Sequence, residues 1–203
     1  MAINKVKQMW SAGKPVAAGW CSSPDPLMPE VMLRAGFDAL ILDMQHGMAI
    51  GPDRAAIWLQ IVGQSDATPI ARVPWNEPMS VQWILDAGAL GVIVPMINSV
   101  EEAKKAIGAV RYPPLAYRSY GPTRARLQYG PDYFATANDE VICLLMDGER
   151  PGDRVNRADS GNSRLRRLLN RPIRSRPVNG SGTPVGPQSA RTRSRSPAGR
   201  FGR

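Results

Sequence analysis

Histidine is nearly missing from this chain: His46 is the single one in 203 residues, and only two cysteines, Cys21 and Cys143, are present. Two cysteines so far apart, without metal-ligand spacing or a secretory signal, exclude a disulfide framework and a zinc module; reduced, buried thiols in a cytoplasmic protein are expected. Long apolar runs are missing too. None reaches the roughly 18 to 20 residues that cross a bilayer, and the stretch Met1 to Trp10 lacks the apolar core of a leader peptide, so no membrane partner is expected.

Lysine is absent from residues 147–203, and this locates the charge. The net charge of +9 suggests a polyanion partner at first. Residues 1–146, however, carry 12 Lys and Arg against 13 Asp and Glu, whereas residues 147–203 carry 14 Arg against 4 acids. The basicity therefore belongs to the last 57 residues alone.

From Val16 to Met146, short apolar runs alternate with helix-like segments, the pattern of β/α units around a parallel sheet buried on both faces. Strands are predicted at Val16–Trp20, Ala39–Asp43, Pro69–Val73, Gly91–Pro95 and Val141–Met146. Helices are predicted at Pro26–Ala35, Asp53–Gly63, Pro78–Ala87, Glu101–Val110 and Thr123–Ala137. Ser99 with Glu102 forms a capping box, and Ala103, Ala106, Ile107 and Val110 follow at helical spacing. Gly36 and Gly88 end helices where a positive φ is needed. After Met146 the pattern stops. Asn179 to Arg203 is rich in Gly, Pro, Ser and Arg with Phe201 as its one aromatic residue, which predicts disorder.

In an α/β barrel, chemistry gathers where strands end. The second strand opens into Met44-Gln45-His46-Gly47, the third ends in Ala71-Arg72-Val73-Pro74-Trp75-Asn76, and Leu85-Asp86-Ala87-Gly88 precedes the fourth. His46 can exchange protons near neutral pH, or be a hydrogen-bonded structural histidine. Arg72 can clamp a carboxylate, or close a salt bridge across the barrel top. Asp43 and Asp86 can be catalytic carboxylates, or caps and loop acceptors.

Gly36-Phe37-Asp38, Asp43-x-Gln45-His46-Gly47, Arg72-Val73-Pro74-Trp75-Asn76, Leu85-Asp86-Ala87-Gly88-Ala89-x-Gly91-Val92-Ile93-Val94-Pro95-Met96 and Arg111-Tyr112-Pro113-Pro114 resemble, in order, the 4-hydroxy-2-oxoheptanedioate aldolase (HpcH/HpaI) family. Ala116 is a small departure, standing where glycine is usual. The resemblance implies a (β/α)8 TIM barrel that cleaves 4-hydroxy-2-oxo acids to pyruvate and an aldehyde with a divalent metal (Mg, Mn or Co), as a homo-oligomer. It also implies His46 as the base for the C4 hydroxyl, Asp86 as its orienting carboxylate, and Arg72 as the residue that holds the oxo acid and stabilises the enolate.

The likeness breaks after Met146. The family's metal-holding Ile-Glu-Thr and Gly-Pro-Ser-Asp-Leu segments are absent, so no metal ligand is assigned and metal binding by this chain is expected to be lost. Codons allowed for Asp147 to Gly152, read one nucleotide further along, can spell Thr-Glu-Ser-Ala-Arg-Glu. In the same frame, codons for Ser163 to Arg176 can spell Ala-Gly-Phe-Asp-Gly-Phe-Leu-Ile-Gly-Pro-Ser-Asp-Leu. The expectation is an incomplete barrel of about five β/α units over residues 1–146, an aberrant frame-shifted tail over 147–203, and impaired or absent lyase activity. An incomplete barrel leaves edge strands open and is expected to aggregate or be degraded. Two alternatives are a polyanion- or RNA-binding tail, and a diverged lyase completed by a partner subunit. The tail's lack of stacking aromatics weighs against nucleic acid.

Overall fold

A computed structural model describes residues 4–147. The expectations for the Arg-rich tail concern residues outside that range, apart from Asp147, which closes the last strand.

Five parallel strands lie in chain order: β1 (Ala18–Cys21), β2 (Ala39–Asp43), β3 (Thr68–Arg72), β4 (Gly91–Ile97) and β5 (Ile142–Asp147). Sequential parallel pairing needs a crossover between each pair of strands. These are supplied by α2 (Leu27–Arg34), α3 (Pro52–Val62), α4 (Pro78–Asp86), α5 (Val100–Val110), α6 (Thr123–Tyr129) and α7 (Tyr133–Glu140). The five strands expected from the sequence are all present, with β2 at its expected bounds. Ser99 and Glu102 form the expected capping box at α5. Gly36 and Gly88 take positive φ, at 76° and 108°.

Two expectations are corrected. The single helix expected over Thr123–Ala137 is two, because Gly130 (φ 97°) and Pro131 interrupt it. A short helix preceding the sheet, α1 (Lys5–Ser11), was not expected. Asn4 caps it, accepting from the Lys7 amide at 3.2 Å, while its amide group donates to the carbonyls of Leu90 and Glu140.

Strand side chains alternate between the two faces. Leu40, Leu42, Ala71, Val92, Val94 and Cys143 point toward the helices and join the larger core. Ala39, Ile41, Ile70, Ile93 and Ile142 point the other way and pack with Val6, Met9 and Trp10, so α1 covers the inner face near the N-terminal ends of the strands. Continuing these inner rows by two residues reaches Asp43 after Ile41, Arg72 after Ile70 and Met146 after Leu144. The inner face is therefore apolar below and carries a carboxylate and a guanidinium at its upper rim. Both cysteines are buried free thiols, as expected.

Helix α6 latches two helix ends. Arg124 donates to the carbonyls of Ala87 and Leu59, Gln128 to that of Gly63 at 3.1 Å, and Tyr129 to that of Gly88 at 2.6 Å. These are carbonyls at the C-terminal ends of α3 and α4, where intrahelical donors run out and a cation is favoured.

Candidate active site

The upper rim is organised by Asp43. It is the Cα register partner of Arg72 on the neighbouring strand, and the two side chains close a fork: Arg72 Nε donates to Oδ1 at 2.9 Å and Nη2 to Oδ2 at 2.5 Å. The Trp20 indole and the Ser22 hydroxyl donate to Oδ2 at 3.2 and 3.4 Å. The backbone amides of Gln45 and His46 donate to Oδ1, each at 3.1 Å. Burial opposes the Asp43 charge, but the Arg72 guanidinium, the His46 amide and the Trp20 indole outweigh it and hold the carboxyl well below the usual carboxylate range.

The loop that carries His46 needs a glycine at its turn. A Cβ on Gly47 would fall 2.0 Å from the Asp43 carbonyl oxygen, a separation no side chain can occupy. His46 itself is exposed, and its ring makes no hydrogen bond among the described residues. Arg72 lies 4.9 Å over the Trp20 ring. Its Nε and Nη2 are taken by Asp43, while Nη1 donates to the Met146 sulfur at 3.9 Å, its one acceptor among the described residues. One guanidinium nitrogen of a cation whose side chain is 11% exposed is thus held, among the described residues, only by a weak sulfur acceptor.

Asp86 is elsewhere. Strands β3 and β4 are parallel neighbours, so α4 between them runs back from the C-terminal to the N-terminal end of the sheet, and Asp86 is its last residue. The sequence placed Asp86 among strand-end groups; the topology places it at the opposite end from His46. Each five-residue strand rises about 3.3 Å per residue, so the two side chains of one chain are separated by roughly the strand length. Asp86 instead pairs with Arg118, whose Nη2 donates to Oδ1 at 2.8 Å. Burial raises the Asp86 carboxyl above its ordinary value, with Arg118 pulling against it.

Trp20 and Ser22 were not singled out from the sequence, although Trp20 shares its strand face with Ala18 and so points to the inner rim. Arg118 was also missed; its signal is a lone arginine within the aromatic segment Tyr117-Arg118-Ser119-Tyr120. Among the described residues, no three His, Cys, Asp or Glu side chains come together as a metal seat. Both Asp43 oxygens are already engaged. The described residues do not fit the divalent ion that the family resemblance implies.

The family model for HpcH/HpaI aldolase/citrate lyase matches residues 17–149. A hydroxypyruvate/pyruvate aldolase of Rhizorhabdus wittichii is 39% identical over 144 residues, covering 71% of this chain and 57% of that protein. A 4-hydroxy-2-oxo-heptane-1,7-dioate aldolase of Salmonella dublin is 32% identical over 149 residues, covering 72% and 56%. The crystal structure of an HpcH/HpaI aldolase/citrate lyase family protein from Burkholderia cenocepacia superposes with a TM-score of 0.63 at 28% identity, covering 70% of this chain and 58% of that one. The chain spans little more than half the length of the curated relatives it matches. Its matched region runs from just before β1 to just past β5, and the chain belongs to the HpcH/HpaI aldolase/citrate lyase family.

Proposed function

We propose that the strand-end group is the proton-transfer and anion-binding part of a pyruvate-type aldolase site acting on 4-hydroxy-2-oxo acids. The carrying observation is that one oxygen, Asp43 Oδ1, accepts from both Arg72 Nε and the His46 backbone amide, which ties the cation and the backbone of the His46 loop to one carboxylate. In a retro-aldol step, His46 removes the C4 hydroxyl proton. The O–H electron pair becomes the new aldehyde carbonyl, the C3–C4 bond breaks, and its electrons move to the 2-oxo group as an enolate. Arg72 Nη1 is the available donor for that oxygen, and a fixed donor aimed at developing charge is worth about 3 to 4 kcal/mol.

If Asp86 serves His46, as the resemblance implies, it does so from a second copy of the chain, because one chain holds them at opposite ends of the sheet. The surface supports this. Gln82, Trp83 and Asp86 share one face of α4 at spacings of three and four, with Trp83, one turn before Asp86, 37% exposed. Beside His46, Met48 is 75% exposed. Two apolar approaches thus flank the two groups that must meet.

The sequence lacks the family's metal-holding segments, so the chain as it stands is expected to release pyruvate little or not at all. The test is to assay metal-supplemented pyruvate release from a 4-hydroxy-2-oxo acid, for this chain and for one carrying the alternative reading frame from residue 147. Release is expected only from the second, and should fall by about 10² to 10⁴ in its His46→Ala variant. A frame-restored chain that stays inactive, or that is indifferent to His46, contradicts the reading.

A further inference from the structure

Asp86 closes α4 at the sheet's N-terminal end, and its surroundings treat its two oxygens differently. Arg118 is 1% exposed, and Asp86 is the carboxylate it meets among the described residues, through Oδ1 at 2.8 Å. Its guanidinium lies 4.3 Å over the Tyr112 ring and 5.8 Å from that of Tyr133. Its Nη1 and Nη2 reach the Tyr133 hydroxyl at 3.5 and 3.4 Å. Withdrawing a cation from water this completely is costly and is tolerated when partners fix it in place. Arg118 is therefore a rigid anchor, set over the Tyr112 ring and bonded to the Tyr133 hydroxyl.

The other oxygen is open. Oδ2 has no hydrogen-bond partner among the described residues, and the Asp86 side chain is 24% exposed. Gly121 helps to keep it so, since a Cβ there would lie 3.2 Å from Oδ2. We propose that Arg118 is a positioning residue, clamping Oδ1 of Asp86 so that Oδ2 is presented outward as an acceptor for the His46 imidazole of a second copy. This rests on the two-copy reading above. A carboxylate held at one oxygen has lost its rotational freedom before it meets a donor, so less ordering remains for the encounter. The ionisable groups facing Asp86 are Arg118 and Tyr112 from the segment after α5, and Tyr133 from α7. Burial raises the carboxyl and Arg118 opposes it, so loss of the clamp should raise it further.

The experiment uses the full chain with ¹³C-labelled aspartate and follows the Asp86 carboxyl by NMR against pH, in the unmodified protein and in Arg118→Met and Arg118→Lys. The Asp86 midpoint should rise by about one to three pH units in Arg118→Met and be partly rescued in Arg118→Lys. Should Arg118→Met not fold, the Arg118→Lys shift decides alone. An unchanged midpoint in a folded variant overturns the proposal. A second readout follows the His46 ring signals as protein concentration is raised. They should shift in the unmodified chain, and more weakly in Arg118→Lys and in Gly121→Val, which occludes Oδ2 while leaving Arg118 intact. A carboxyl shift combined with His46 signals that ignore Asp86→Asn would retain the clamp and refute the two-copy reading.

Discussion

Asp43 and Arg72 stand opposite each other at the C-terminal ends of neighbouring parallel strands, and the fork between them also carries the amide of His46. Strand register thus fixes the salt bridge, the salt bridge fixes where Arg72 Nη1 sits, and the same carboxylate holds the backbone of the His46 loop. With side chains only 3% and 11% exposed, breaking the pair leaves a buried charge uncompensated. Asp43→Ala is expected to cost about 3 to 5 kcal/mol in urea unfolding, and a loss below about 1 kcal/mol would show that the fork does not hold this rim.

The same pair gives an acid signature. Folding depresses the Asp43 carboxyl, so its contribution is present above the unfolded value of about 3.9 and is lost as pH falls below it. Stability plotted against pH should fall below about pH 4 more steeply in the unmodified chain than in Asp43→Asn. Parallel acid limbs would contradict this.

At the alkaline end, burial pushes the fully buried Cys143 thiol up to about 11. A raised value means stability is fully present below the unfolded thiol pKa, about 8.5, and is lost as pH rises toward 11. The slope approaches about 1.4 kcal/mol per pH unit. Cys143→Ala should start less stable, through loss of packing, and have a shallower alkaline limb. Equal slopes in the two proteins would count against a buried thiol as the cause.

Helix α6 makes a different claim. Arg124 is bonded to carbonyls at the ends of both α3 and α4, and Arg124→Ala should cost about 1 to 3 kcal/mol, with amide exchange rising at the last turns of both helices. Exchange rising in α6 alone would mean that it does not latch them.

Much of this is legible in the sequence. The strand Ala39–Asp43 is a continuous apolar run ending in a carboxylate, and period two puts Asp43 on the face of Ile41. The Ser99 and Glu102 box fixes the start of α5. Helix α1 escaped because seven residues, with Val6, Met9 and Trp10 as its apolar contacts, give too short a period to detect. The split between α6 and α7 turns on Gly130, whose positive φ a helical pattern cannot reveal. Asp86 is the instructive case: the resemblance named the residue, but only the direction of α4 shows that it sits at the far end of the sheet from His46.

The most direct test of the central claim exploits the single histidine, whose ring gives one assignable set of NMR signals. The full chain is titrated with pyruvate while the His46 ring is observed, in the unmodified protein and in Arg72→Met. A saturable shift that disappears in Arg72→Met is expected, because the enolate-forming acid should dock at Arg72 Nη1 beside His46. No shift in the unmodified chain, or an equal shift without Arg72, would contradict the assignment of this strand-end group as a 2-oxo acid site.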